Sequence, residues 1–346
     1  MLEDLTIVIT TYKRYDYLNR LLKFLLSYEL RAKIIVLDST PYLPEDRSHL
    51  ARLESKRIDW RRDDSNTPLM TKTALGVKEV GTEFSVLCAD DDFIIPPGAT
   101  KCVEFLRENP EYVSAQGAYF HHLVLQKIFF QGCCITPLYQ RSSSGEDDKP
   151  LERVMSYLTG NSPLPYYAVH RTRNFKKIWQ QTAELKLNRE LGELFPCALS
   201  MCLGKMKKLP VFYSSREQNN TAIFSRMQVA SMYEQSEIEP VARSLSNIIE
   251  PKNTGAREVV RALILKTIGD RATAINDKTR ARQSLFTKGS QVVKNSRWLR
   301  VIYKELLARG VDSSVSSSGA SDFFRLKAAL LSTPLTASEL NAARIS

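Results

Sequence analysis

Three short apolar runs, each ending in a polar cluster, constrain this chain more than any other feature. Residues 5–11 (LTIVITT) are β-branched and uninterrupted, and they lead into Thr10, Tyr12 and Arg14. Residues 33–37 (KIIVL) end at Asp38, Ser39 and Thr40. Residues 83–88 (EFSVLC) stop at Asp90, Asp91 and Asp92. Short apolar runs of this kind read as buried strands. Between them lie segments of helical spacing. Leu18, Leu21, Leu22, Leu25 and Leu26 predict a helix from Tyr15 to Tyr28, and others are expected near 45–55, over 69–80 and over 97–108. Arg57 to Arg61 and Tyr112 to Tyr119 read as further strands. Strands and helices that alternate with short connections imply the α/β class, with a mostly parallel sheet flanked by helices. In such sheets ligands gather beyond the carboxyl ends of the strands. The spacing therefore predicts that the three polar clusters share one edge.

The remaining sequence extends this organisation. Residues 140–150 read as a polar, mobile loop, and 313–321 as a Ser/Gly-rich linker. From about 255 onward, Val259, Val260, Leu263, Ile264 and Ile268, and then Trp298 to Leu307, predict amphipathic helices. Charge divides the chain in the same way. Residues 241–346 hold 18 Lys and Arg against 8 Asp and Glu, which is +10 of the total +11. The expected organisation is a catalytic unit over 1–240, with halves 1–120 and 121–240, and a basic helical region over 241–346.

A basic region of this kind suits an anionic membrane surface or a nucleic acid. Nucleic acid is disfavoured, because neither aromatic interleaving nor a recognised binding motif accompanies the charge. No apolar stretch approaches the eighteen residues a transmembrane helix needs. The acidic N-terminus does not read as a leader, so the expectation is a cytoplasmic protein, with peripheral contact at the inner membrane face. The six cysteines lack metal-ligand spacing and read as buried free thiols.

Three adjacent carboxylates repel one another, and a cation relieves that repulsion. Mg2+ or Mn2+ takes few carboxylates together with phosphate oxygens and water. A triplet at a strand end thus reads as a bridge to a diphosphate. The alternative is a solvated turn before Pro96 and Pro97.

Residues 5–14 (LTIVITTYKR), 35–39 (IVLDS) and 81–93 (GTEFSVLCADDDF) resemble, in that order and spacing, the nucleotide-binding elements of the inverting family 2 glycosyltransferases of GT-A fold. The resemblance covers about 5–220. It implies a Rossmann-like GT-A sheet with a helical C-terminal region. It also implies a metal-dependent transfer of sugar, with inversion, from a nucleotide-sugar to a hydroxyl of a glycan or lipid-linked acceptor. The donor it implies is UDP-linked, and the setting is bacterial surface polysaccharide synthesis. By the same resemblance Thr10, Tyr12 and Arg14 line the base and ribose pocket, and Asp38 bonds the base. Asp64 and Lys72 add nucleotide contacts. The usual Asp-x-Asp pattern begins at Ala89 here. Asp91 and Asp92 then become the Mn2+ or Mg2+ ligands, and Asp90 serves the ribose or the metal.

An inverting transfer needs a base for the acceptor hydroxyl. The family places an Asp eleven residues before a Gly-Lys pair, and Glu193 stands eleven before Gly204 and Lys205. Glu193 is the candidate base, with Glu190 better suited to interact with a helix dipole. Residues 209–220 resemble the segment that returns over the diphosphate, where Arg216 fits a phosphate. Tyr166 and Tyr167 are open to sugar stacking or to core packing. His170 reads as structural, and His121 and His122 lack ligand company. A sugar-1-phosphate nucleotidyltransferase is the rival enzyme class. It wants a Gly-rich loop after the first strand, and residues 10–20 contain no glycine.

Overall fold

The computed structural model describes residues 2–28, 31–41, 57–127, 130–138, 143–160, 164–187, 189–217, 235–250, 255–269 and 317–332. In chain order the elements of the first half are β1 (Leu5–Thr11), α1 (Tyr15–Leu26), β2 (Lys33–Asp38), β3 (Ile58–Arg62), α2 (Leu69–Lys78), β4 (Phe84–Ala89), β5 (Phe93–Ile94), α3 (Pro96–Glu108), β6 (Tyr112–Lys127) and β7 (Phe130–Leu138). After these come α4 (Pro150–Leu158), a 3-10 turn (Pro165–Tyr167), β8 (Val169–Arg171), α5 (Thr172–Glu184), α6 (Arg189–Leu203) and β9 (Lys205–Glu217). Among the described residues three helices follow: α7 (Gln235–Ile249), α8 (255–269) and α9 (Ser317–Ser332). The expected helix near 45–55 and the apolar positions from Trp298 to Leu307 lie outside the described residues.

The strands join in one sheet of order β3-β2-β1-β4-β8-β6-β9-β5, with β7 paired to β6. β1 to β4 are mutually parallel. The chain builds outward from β1 through β2 to β3, then returns to place β4 on the other side of β1. That reversal is the switch point at which open α/β sheets bind ligands. The register aligns the polar strand ends there. Thr11 lies opposite Asp38, and Thr10 opposite Ala89, which the acidic triplet follows.

Burial follows the sequence pattern. Leu5, Ile7, Val8 and Ile9 of β1 and Leu18, Leu21 and Leu22 of α1 are fully enclosed in the same core as the central strands. A second core joins α4 and α6 to α7 and α8, through Val154, Leu194 and Leu199 against Val241, Leu245, Val260 and Ile264. Residue 240, where a division is expected, lies within α7.

Three local features depart from the sequence reading. β6 continues past Tyr119 to Lys127 and forms a hairpin with β7, because cross-strand pairing from Tyr119–Leu138 to Lys127–Phe130 carries it on. The loop expected to be mobile is tied down over its described part. Gly145 exchanges backbone hydrogen bonds with Met206, and Glu146 bonds to Tyr112 and Lys207. A helix, α9, begins inside the expected Ser/Gly linker. Its Leu326 and Leu330 are completely buried in the main core, and Tyr28 donates to Asp322 at 3.1 Å. Burial of that apolar face outweighs the weak helix propensity of serine and glycine.

α3 opens on Pro96 and Pro97, whose fixed φ suits the first turn. A Cβ on Gly98 would lie 2.1 Å from the Phe212 carbonyl oxygen and 2.9 Å from Tyr213 Cα, so the helix start sits flush on the β9 backbone. Gly98→Ala is expected to destabilise the protein by about 1–3 kcal/mol through overpacking. Urea unfolding checks this, and an unchanged midpoint would show that the two elements separate freely.

Candidate active site

The site assembles at the ends of β1, β2 and β4. Between β1 and α1 the chain turns sharply, with Lys13 at φ 57, in the left-handed region that side chains rarely occupy. The Lys13 amide donates to Thr40 Oγ1 at 2.7 Å and fixes this turn. Arg14 follows it, and its guanidinium spans the triplet: Nη1 lies 3.1 Å from Asp90 and Nη2 2.7 Å from Asp91. Thr11 Oγ1 donates to Asp90 at 2.7 Å. Asp92 is held from the far side. The Glu217 amide donates to it at 2.9 Å, and Arg216 Nε lies 3.3 Å away.

The three carboxylates differ in environment. The side chains of Asp90 and Asp92 are 4% and 7% exposed, and that of Asp91 is 16% exposed. Burial pushes the carboxyls of Asp90 and Asp92 up to about 7 each, against the opposing pull of Arg14 and Arg216 and with Asp91 adding to the rise. For Arg14, burial works against the charge, but the fields of Asp90 and Asp91 raise its pKa above the ordinary value. Two guanidiniums thus face three carboxylates.

Asp38 is fully buried and densely bonded. Its Oδ2 accepts from Tyr15 Oη at 2.8 Å, Arg62 Nη1 at 3.1 Å and Trp60 Nε1 at 3.2 Å, and its Oδ1 from the Thr40 amide at 2.8 Å. Lys72 is also buried. Its ammonium donates to the Thr11 carbonyl at 3.0 Å and to Ser39 Oγ at 2.8 Å, joining the ends of β1 and β2, and burial lowers its pKa. Thr10 is half-buried, and Tyr12 is 43% exposed with Lys13 Nζ 5.1 Å from its ring centre. The exposed Asp64 shapes a turn, accepting from the Asn66 amide at 2.7 Å.

Glu193 is half-buried on α6. A Cβ on the preceding Gly192 would lie 2.5 Å from Met70 Cε, so the start of α6 rests on the first turn of α2, the helix that carries Lys72. Tyr167 is buried beneath Arg216, whose guanidinium carbon lies 5.0 Å from the ring centre, and Tyr166 packs edge-on against Trp179. The sequence reading missed Thr11, Tyr15, Trp60 and Arg62, which bond directly to Asp90 or Asp38. The arginine at the end of β3 carried a signal, since a strand parallel to β2 brings its last residue to the same edge.

His170 is a core residue. Its Nδ1 lies 2.9 Å from the Ala168 carbonyl and its Nε2 3.2 Å from Ser200 Oγ, and burial lowers its pKa from 6.5 to about 4. Between those values the unfolded chain binds a proton that the folded one refuses, so stability falls as pH drops from about 6.5 to 4. The loss from this group is roughly 3 kcal/mol. Urea unfolding at both pH values is expected to show that extra loss in the parent chain and not in His170→Gln. Equal acid sensitivity would assign the neutral role elsewhere.

Residues 6–130 match the family described as glycosyl transferase family 2. The chain as a whole has a mixed α/β fold, with a central sheet flanked by helices. Among solved structures, S. aureus TarS 1-349 in complex with UDP-GlcNAc is 13% identical, with a TM-score of 0.50 over 94% of this chain and 90% of that one. S. aureus TarS 1-349 gives a TM-score of 0.48 at 13% identity, with the same coverage. The longer S. aureus TarS gives 0.49 at 14% identity, over 99% of this chain and 54% of that one, so this chain spans about half of its length. No curated protein matches the chain.

Proposed function

We propose that this chain is a glycosyltransferase that moves a sugar from a uridine diphosphate sugar to a hydroxyl of a glycan or lipid-linked acceptor, with inversion. The observation that carries the reading is the acidic triplet, clamped between Arg14 and Arg216 at the switch point of the sheet. The likeness in fold to a TarS structure containing UDP-GlcNAc supports a uridine nucleotide as donor.

The residues fit a divalent cation. Among the described residues no group of three His, Cys, Asp or Glu forms a ready cage. Mg2+ and Mn2+ do not require one where a diphosphate supplies oxygens. The donors are hard carboxylates, and three of them adjoin at one strand end against two guanidiniums. Asp91, the most exposed of the three, and Asp92 would hold the ion, which would neutralise the leaving diphosphate. Arg14 and Arg216 orient the triplet, and Arg216 offers its planar fork to phosphate. Asp90 keeps Thr11 and Arg14 in place beside the ribose.

Asp38 acts as the hub that fixes Tyr15, Trp60 and Arg62 as the wall of the base pocket, and the exposed Tyr12 ring and Thr10 border it. Lys72 pins the two strand ends beneath the nucleotide, and Asp64 holds the turn beside it. Glu193 takes the proton from the acceptor hydroxyl as its oxygen attacks the anomeric carbon and the bond to the diphosphate breaks. The setting is surface polysaccharide synthesis in the cytoplasm. The +10 charge of residues 241–346 supports contact with an anionic membrane face. No described helix is long and apolar enough to cross a membrane.

A thermal-shift series tests the reading. UDP is expected to raise the melting temperature more than GDP or CDP, and Mn2+ to enlarge that rise. Indifference to every nucleotide would overturn it.

A further inference from the structure

The end of β9 carries a buried ionic cluster that the transfer itself does not use. Glu217 Oε2 accepts from Arg20 Nη2 at 2.6 Å and lies 2.9 Å from His122 Nε2. The three side chains are 5%, 2% and 0% exposed. His122 Nδ1 lies 2.9 Å from Ser215 Oγ, and its ring stands edge-on to Phe93 with centres 5.3 Å apart. The Arg20 guanidinium carbon lies 5.0 Å from the Tyr17 ring centre and 5.2 Å from that of Phe93. The cluster joins α1, β6 and β9 across a long stretch of sequence.

Burying such charges is costly, and apolar residues of similar volume would often stabilise a core as well. The cluster touches the triplet at two points. The Glu217 amide donates to Asp92 Oδ1 at 2.9 Å, and Arg20 Nη2 reaches the Asp91 carbonyl at 3.4 Å. Its side chain anchored to two other elements, Glu217 fixes its own amide and its neighbour Arg216. Three repelling carboxylates at a strand end need such a fixed frame.

We propose that Arg20, His122 and Glu217 are positioning residues that set Asp91, Asp92 and Arg216 for the donor diphosphate. This rests on the function proposed above. The test separates the base from the diphosphate. Melting temperatures are measured for His122→Phe, His122→Gln and Glu217→Gln, alone, with uridine, and with UDP and Mn2+. Steady-state turnover of UDP-GlcNAc is measured alongside. His122→Phe keeps a ring against Phe93 and removes both polar contacts. It is expected to keep the uridine response, to lose much of the extra rise given by UDP with Mn2+, and to lower kcat roughly 10- to 100-fold. His122→Gln can still donate to Glu217 and is expected to recover part of both. Glu217→Gln leaves Arg20 without its counter-charge and is expected to show the larger defect. If it does not fold, His122→Phe decides the matter. A parental UDP increment and kcat in His122→Phe would overturn the inference, as would equal loss of the uridine response. A parent chain that ignores uridine and UDP would instead overturn the functional reading on which this rests.

Discussion

Asp91→Ala is expected to cut sugar transfer by at least about a hundred-fold and to erase most of the metal-dependent gain in UDP affinity. A cation that balances the leaving diphosphate supplies several kcal/mol in the transition state, and each 1.36 kcal/mol is a factor of ten in rate. Asp91 is the member of the triplet whose loss the fold tolerates best. It is the most exposed, and Arg14 keeps a partner in Asp90 at 3.1 Å when Asp91 is gone. Removing Asp90 or Asp92 would instead orphan buried donors, Thr11 Oγ1 in the first case and the Glu217 amide in the second. A defect in those variants would mix folding with function. The comparison of interest is therefore calorimetric UDP binding with and without Mn2+ in the parent and Asp91→Ala. An unchanged metal effect together with unchanged transfer would remove Asp91 from the site.

Glu193→Gln is expected to lower kcat by about 10²–10⁴-fold, the usual contribution of a positioned base, while leaving UDP binding intact. The amide keeps the size of the side chain and cannot take the acceptor proton. An effect on kcat without one on nucleotide affinity distinguishes a base from a binding residue. Transfer at the parental rate would show that another group removes the proton. Together the two variants divide the site. On the proposed reading Asp91 would act on the donor side, at the ends of β1 and β4, and Glu193 would act from α6, whose start rests on α2 through Gly192 against Met70.

The first half of this architecture is legible because its signals are local. Residues 5–11, 33–37 and 83–88 are short, mainly apolar runs, and a parallel arrangement then forces their polar ends to one edge. Partnership within that edge was not legible. The resemblance assigns Asp38 to the base, and the fold surrounds it with Tyr15, Trp60, Arg62 and the Thr40 amide. Lys72 reads as a ligand contact, yet it is enclosed between two strand ends. The contact between Arg20 and Glu217 spans 197 residues, and nothing in either local pattern announces it. The same limit explains α9. Its serines and glycine suggest a linker, and burial of Leu326 and Leu330 in the main core outweighs that local pattern. Local pattern determines which residues arrive at the edge, and tertiary pairing determines which of them remain open to a ligand.

The most direct test of the central claim is a calorimetric titration of the parent chain with UDP-GlcNAc, in Mn2+ and again in excess chelator. The account predicts saturable binding at one site, weakened by removal of the metal, with Asp91→Ala in Mn2+ resembling the parent in chelator. Absence of binding up to millimolar nucleotide-sugar, or binding that neither the chelator nor Asp91→Ala affects, would contradict it.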